Sequence, residues 1–278
     1  MKKRREKGKI YQLKQVIRQN RNVFVVYLVL RLIVLVSLVM SCVRGEYEHT
    51  AICVLVLALF LLPGFVQKNL GIELPSALQI IILIFIFAAE ILGELACYFI
   101  QFPYWDTLLH TTSGFLCAAV GYSLVDILNK NERFPVQLSP AYLAIVAFCF
   151  SMTIGVLWEF FEFAMDRLFC LDMQKDTVVH VITSVMLDET NSNIPIVVRG
   201  ITDTAVNGQS LGLGGYLDIG LYDTMEDLFV NFIGALTFSL IGYFSAKKQE
   251  RNRIIDNLVP RRPREQNLNP DDGGEKSC

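Results

Sequence analysis

Basic side chains are nearly missing from the apolar stretches of this 278-residue chain, where Arg31 alone is embedded in a long hydrophobic run. Histidine is scarce too, with only His49, His110 and His180. The seven cysteines (Cys42, Cys53, Cys97, Cys117, Cys149, Cys170 and Cys278) form no CxxC pair and have no disulfide-like spacing, so they read as ordinary buried residues. No recognisable nucleophile motif and no phosphate-binding cluster of arginines occurs, and no internal repeat is evident. The start does not read as a typical secretory signal: its basic region is about 20 residues long and Arg31 interrupts the apolar run that follows. Nucleic-acid binding is not supported either, because the basic residues lie in terminal tails without a fold to present them.

Hydrophobic residues, by contrast, make up 53% of the chain, and its mean hydropathy is +0.43 despite polar ends. Apolar stretches of about 20 residues read as transmembrane helices rather than core strands. Six spans are expected, near 22–43, 51–67, 76–100, 106–128, 141–166 and 224–245. The fold class is therefore all-α, a polytopic transmembrane helix bundle. Lysine and arginine are dense before the first span and after the last, and alternate loops are poorer in them. That asymmetry puts both termini in the cytoplasm. The resulting organisation is a basic cytoplasmic segment (1–21), a six-span membrane domain (22–245) with an outer loop at 167–223, and a polar cytoplasmic tail (246–278) expected to be disordered. The basic start is expected to lie on anionic lipid.

In the outer loop, Val178, Val181, Ile182, Val185 and Met186 follow helical spacing and predict a short helix on the membrane surface. The glycine-rich stretch GQSLGLGGYLDIG lacks the strand–turn–helix context of a nucleotide loop and reads as a flexible hinge or lid. His49 reads as a surface residue. Tyr98, Tyr104 and Trp105 sit where an aromatic belt is expected.

Ten polar side chains interrupt this apolar background: Glu90, Glu94, Asp106, His110, Glu159, Glu162, Asp166, Asp223, Asp227 and Asn231. A charge in a bilayer costs several kcal/mol unless paired, hydrated or metal-bound. Eight carboxylates with one histidine cannot all stay ionised without a cation or shared protons. Counting about 20 residues at about 1.5 Å each from the cytoplasmic ends brings four segments' polar groups to one depth, near the outer leaflet. Their spacing of three or four residues puts each set on one helix face. Small residues continue those faces: Gly114, Cys117 and Gly121 beyond His110, Gly155 beyond Glu159, and Gly234 beyond Asn231. Such residues let membrane helices approach closely, so a pocket lined by spans three to six is expected.

Asp106 and Asp223 lie at helix starts, where a carboxylate can serve as a cap. Glu90, Glu94, Glu159, Glu162 and Asp166 lie towards helix C-termini, where the dipole disfavours negative charge and capping cannot explain them. Asp106, His110, Glu159, Glu162 and Asp227 are the candidate metal ligands. Glu90, Glu94, Asp166, Asp223 and Asn231 are candidates for supporting positions or a proton relay. An oxygen-rich set with one nitrogen suits Mg²⁺, Mn²⁺ or Ca²⁺.

The strings WDTLLHTTSGFL, GVLWEFFEFAMD and YDTMEDLFVNFIGAL resemble a bacterial membrane-protein group typified by YjdF and, more distantly, the VanZ-like proteins. The resemblance covers roughly residues 76–245. It rests on Asp106 and His110, then Glu159 and Glu162, then Asp223, Asp227, Asn231 and Gly234. The chain departs from the VanZ pattern in carrying Glu162 where glutamine is usual, and in its longer glycine-rich loop. The resemblance implies a multi-pass protein of the bacterial cytoplasmic membrane and supports the site, but it brings no activity. Three classes of function stay open. One is a metal-dependent enzyme on lipid-linked or envelope substrates, in which two adjacent ions could clamp a phosphoryl group. Another is a carrier for cations or protons. The third is a non-catalytic structural or regulatory protein. Beyond the lipid bilayer, the sequence names no partner.

Overall fold

A computed structural model describes residues 21–129, 138–190, 192–248 and 252–261. Six helices among them are long and apolar enough to cross a membrane: Arg21–Arg44, Tyr47–Asn69, Ser76–Leu95, Trp105–Asn129, Pro140–Phe169 and Leu221–Lys248. The protein is a polytopic helical membrane protein, as its hydropathy predicts.

The chain falls into two compact units. Of the described residues, the first comprises 21–103, 122–129, 138–143, 242–248 and 252–261, and the second comprises 104–121, 144–190 and 192–241. In the first, helix α1 (Arg21–Arg44) packs with α2 (Tyr47–Leu59) and α4 (Ser76–Ile86). The second span is broken between α2 and α3 (Leu62–Leu70). Pro63 accounts for the break, since it has no amide hydrogen to donate and its ring clashes with the carbonyl four residues back. Val34, Cys53, Val56, Phe60, Leu83, Ile86 and Ile91 form the buried core of this unit. Meanwhile Leu32, Val39 and Val43 of α1 stay exposed, as lipid-facing side chains do, because lipid tails are as apolar as leucine. Arg31 is engaged on its own helix, donating to the Tyr27 hydroxyl and lying over that ring.

The third span does not stay α-helical. After α4 it continues as a π-helical stretch, Phe87–Leu95, which carries Glu90 and Glu94. It ends at Cys97, which adopts a left-handed conformation (φ 57°), before the short helix α5 (Tyr98–Gln101). Four residues come close to one full turn in either winding, so Glu90 and Glu94 keep a common face. Glu90 is partly buried and Glu94 is exposed.

The tail also departs from expectation. Residues 1–20 and 262–278 lie outside the described residues, but Arg253–Leu258 forms a helix, α9, after the last span. Asn252 caps it, accepting from the Ile254 amide at 2.9 Å. Val259 is buried, the Ser123 hydroxyl donates to the Pro260 carbonyl at 2.7 Å, and Glu73 and Arg261 exchange backbone hydrogen bonds of 2.7 and 3.0 Å. The apolar Ile255, Leu258 and Val259 give this short piece something to bury, so the chain is ordered further than its polar composition predicts.

The second unit contains the first half of α6 (Trp105–Asn129), most of α7 (Pro140–Phe169) and most of α8 (Leu221–Lys248). Phe115 meets Phe238 edge-to-face at 5.1 Å, and Phe148 meets Phe232 likewise at 5.3 Å. The segment between α7 and α8 holds short antiparallel pairs. Strand β1 (Val178–Val179) pairs with β6 (Tyr216–Leu217), β2 (Val181–Ser184) with β3 (Ile196–Arg199), and β4 (Ala205–Val206) with β5 (Gln209–Ser210). The helix expected across 178–186 is therefore absent. Its β-branched residues pair with a strand more than a dozen residues away, and tertiary pairing overrides the apparent 3.6-residue period. The expected hinge is also structured: Asn207 (φ 53°) and Gly208 (φ 80°) form the turn between β4 and β5, the Asn-Gly dipeptide that two-residue hairpins favour.

Candidate functional site

Three helix ends of the second unit bring the polar residues together. Asp106 and His110 come from the first turns of α6, Glu159 and Glu162 from the last third of α7, and Asp227 and Asn231 from the first turns of α8. Glycines allow the approach. A β-carbon at Gly114 would stand 2.7 Å from the Asn231 side-chain oxygen, and one at Gly155 would stand 2.5 Å from the Asn231 side-chain nitrogen. One at Gly234 would collide with the Thr111 carbonyl oxygen and lie 2.9 Å from the Phe115 amide nitrogen. The close packing expected from Gly114, Gly155 and Gly234 is thus present, and Asn231 is the residue wedged between α6 and α7. Its amide also donates to the Met152 sulfur at 3.5 Å.

Above Asn231, the His110 Nε2 atom lies 3.6 Å from Asp106 Oδ1 and 3.7 Å from Asp227 Oδ2, and its Nδ1 lies 4.0 Å from Glu159 Oε1. These separations exceed a hydrogen bond. Glu159, Glu162 and Asp227 are 5%, 7% and 3% exposed. Each has a buried oxygen without a hydrogen-bond partner: Glu159 Oε2, Glu162 Oε2 and Asp227 Oδ2. Two groups could hold a cation, with ligand atoms all within 4.8 Å of one another: Asp106, His110 and Asp227, and Glu159, Glu162 and Asp227. All five residues that the sequence nominates as ligands are in these groups. Glu90 and Glu94 are in neither.

Asp166 and Asp223 are brought near but are otherwise engaged. The Asp166 carboxylate accepts from the Met173 amide at 2.6 Å and the Gln174 amide at 2.9 Å. Asp223 accepts from the Lys175 amide at 2.8 Å. Together they clamp residues 173–175 over the ends of α7 and α8. Asp223 is not the helix cap that its position predicts. Asp218 takes that role, accepting from the Leu221 and Tyr222 amides at 3.2 and 3.0 Å. His180 is exposed, with Nδ1 2.9 Å from the Ile201 carbonyl oxygen, and takes no part in the cluster. The exposed Glu226 accepts a long 3.4 Å bond from Thr107.

The structure adds three residues that sequence reasoning missed. Trp158 donates its indole N–H to Glu162 Oε1 at 2.8 Å. Gln174, buried within the clamped segment, donates to the Thr224 hydroxyl at 2.5 Å, and both side chains reach Glu159. Trp158 does leave a signal in the sequence, since it is one helical turn before Glu162 on the same face. Nothing in the sequence marks Gln174, which is placed by the Asp166 and Asp223 clamp. Outside the membrane segments, Asp176 sits above the usual carboxylate range, first through partial burial and then through Asp172, Asp218 and Asp166 nearby. The loop over the cluster is therefore itself acidic.

A family profile described as "Predicted membrane protein (DUF2238)" matches residues 26–248. The chain belongs to this family. It is the YjdF-type group whose motifs its three strings resemble. A protein of Thermotoga maritima described as uncharacterized is 26% identical over 137 residues, covering 48% of this chain and 67% of its own length. No solved structure matches the chain.

Proposed function

We propose that this DUF2238 protein is a multi-pass protein of the bacterial cytoplasmic membrane that binds a divalent cation at its outer face, through Glu159, Glu162 and Asp227 with Asp106 and His110. The observation that carries this reading is the trio of buried, partnerless oxygens on Glu159, Glu162 and Asp227. A buried carboxylate without a partner costs several kcal/mol, and among the described residues no lysine or arginine pairs with the cluster. A hard cation supplies the missing charge and takes oxygen ligands by preference. The acidic loop residues Asp172, Asp176 and Asp218 would raise the local cation concentration. Mg²⁺, Mn²⁺ and Ca²⁺ fit the donor set.

A metal centre at the outer face suits an enzyme acting on lipid-linked or envelope substrates, with the ion polarising a substrate oxygen or activating water. The more distant VanZ-like resemblance is compatible with an envelope role. A carrier is less well supported: beyond Asn231, the helices bury Ala118, Ala119, Ala147, Ala235 and Phe238 completely, and the buried Ser151 hydroxyl is spent on the Gly114 carbonyl. Ser239 is the other buried hydroxyl of this unit among the described residues, so a polar path would be sparse.

Elemental analysis of protein purified in detergent and dialysed against Mg²⁺, Mn²⁺ and Ca²⁺ tests the reading. Stoichiometric metal is expected in the wild type, with loss in Glu162→Gln and Asp227→Asn. A metal-free wild type under all three conditions overturns the proposal.

A further inference from the structure

We infer that the site holds two divalent cations bridged by the Asp227 carboxylate. This inference rests on the cation-binding reading above and specifies its stoichiometry and geometry. Two ligand groups are built into the second unit, one of Asp106 and His110, the other of Glu159 and Glu162. Asp227 is the single residue common to both. A carboxylate has two oxygens, and one shared between neighbouring cations can give one to each.

Charge supports two ions rather than one. Asp106, Asp227, Glu159 and Glu162 carry four negative charges when ionised, and His110 is neutral when it acts as a ligand. One divalent cation leaves two charges uncompensated in a buried place, whereas two match all four.

Distance agrees. His110 Nε2 is 3.6 Å from Asp106 Oδ1 and 3.7 Å from Asp227 Oδ2. Those separations are too long for hydrogen bonds, yet adjacent ligands on a hard cation with 2.0–2.6 Å bonds stand roughly 3–3.7 Å apart. The second group supplies its own independent sign, because the Glu159 and Glu162 oxygens are buried and partnerless. Both carboxylates of this second group are held by supporting side chains: Trp158 orients Glu162, while Gln174 and Thr224 reach Glu159. Paired ions of this kind bind oxyanions across both metals, so phosphate is the ligand class that the centre would take.

The experiment is manganese loading of the intact protein in detergent, read by metal-to-protein ratio and by electron paramagnetic resonance. The expected result is two Mn²⁺ per chain with the multiline signal of an exchange-coupled pair. His110→Gln and Glu162→Gln should each leave one uncoupled ion, and an unchanged gel-filtration profile shows that they are folded. Inorganic phosphate should perturb the coupled spectrum of the wild type. One ion per chain in the wild type overturns the pair while leaving the cation-binding reading intact. Two ions without coupling overturn the Asp227 bridge. No bound manganese overturns the pair, and it overturns the cation-binding reading as well when Mg²⁺ and Ca²⁺ are also absent.

Discussion

The Asn231 side chain occupies the space that Gly155 leaves open, with its nitrogen 2.5 Å from where a β-carbon at Gly155 would stand. Gly114 faces the same side chain from α6. Alanine at either position forces Asn231 out of its wedge or pushes the helices apart. Overpacking of this kind costs about 1–3 kcal/mol. Gly155→Ala and Gly114→Ala should therefore lower the thermal unfolding midpoint in detergent. Gly64→Ala is the control, since a β-carbon there meets nothing within 4 Å, and it should cause no loss. Equal midpoints for all three variants would refute the wedge.

Asp218 and Asp223 lie five residues apart and do different work. Asp218→Ala removes the acceptor for the Leu221 and Tyr222 amides, and loss of such a cap costs about 0.5–2 kcal/mol. Hydrogen exchange should speed up at those amides and leave 173–175 protected. Asp223→Ala should do the reverse, exposing the Lys175 amide while the start of α8 stays protected. The prediction fails if Asp223→Ala frays α8 first.

The loop between α7 and α8 carries its own pH dependence. Asp188 accepts from the Thr190 hydroxyl at 2.6 Å and amide at 3.0 Å, and from the Ser192 amide at 2.8 Å. These bonds, the Thr190 hydroxyl foremost, hold its carboxyl well below the usual range. A depressed folded value means that the turn is stabilised fully above the unfolded value of about 3.9 and loses that support as pH falls towards the folded value. The Thr190 and Ser192 amide resonances should be constant near neutrality and shift below about pH 4. In Asp188→Asn they should show no such transition.

The membrane part and the cluster are legible in the sequence for a physical reason. Spans depend on local hydropathy, and the faces of α6, α7 and α8 follow from three- and four-residue spacing, so Asp106, His110, Glu159, Glu162 and Asp227 group together on spacing and depth alone. The expectations that fail depend on distant partners or on helix winding. Val181–Ser184 looks helical until its pairing with Ile196–Arg199 is known. The π-helical winding of the stretch that carries Glu90 and Glu94 leaves no composition mark. Spacing puts Asp166 in the cluster, yet both of its oxygens are taken by the amides of Met173 and Gln174. Local spacing can show which face a side chain occupies, but not which backbone donor will return to meet it.

Trp158 gives the most discriminating single variant. Its indole N–H donates to Glu162 Oε1 at 2.8 Å while its ring packs on Phe161 with centroids 5.3 Å apart. Phenylalanine keeps an aromatic ring on Phe161 and removes the donor. Glu162 then loses the bond that fixes its orientation, although every proposed ligand is retained. Loss of such an outer hydrogen bond weakens metal affinity by about 10–100-fold. Trp158→Phe should therefore raise the manganese dissociation constant by that factor without lowering the metal content at saturation, whereas Glu162→Gln should lower the saturation value itself. If Trp158→Phe binds manganese as tightly as the wild type, the packing of α7 alone orients Glu162 and the indole has only a structural part.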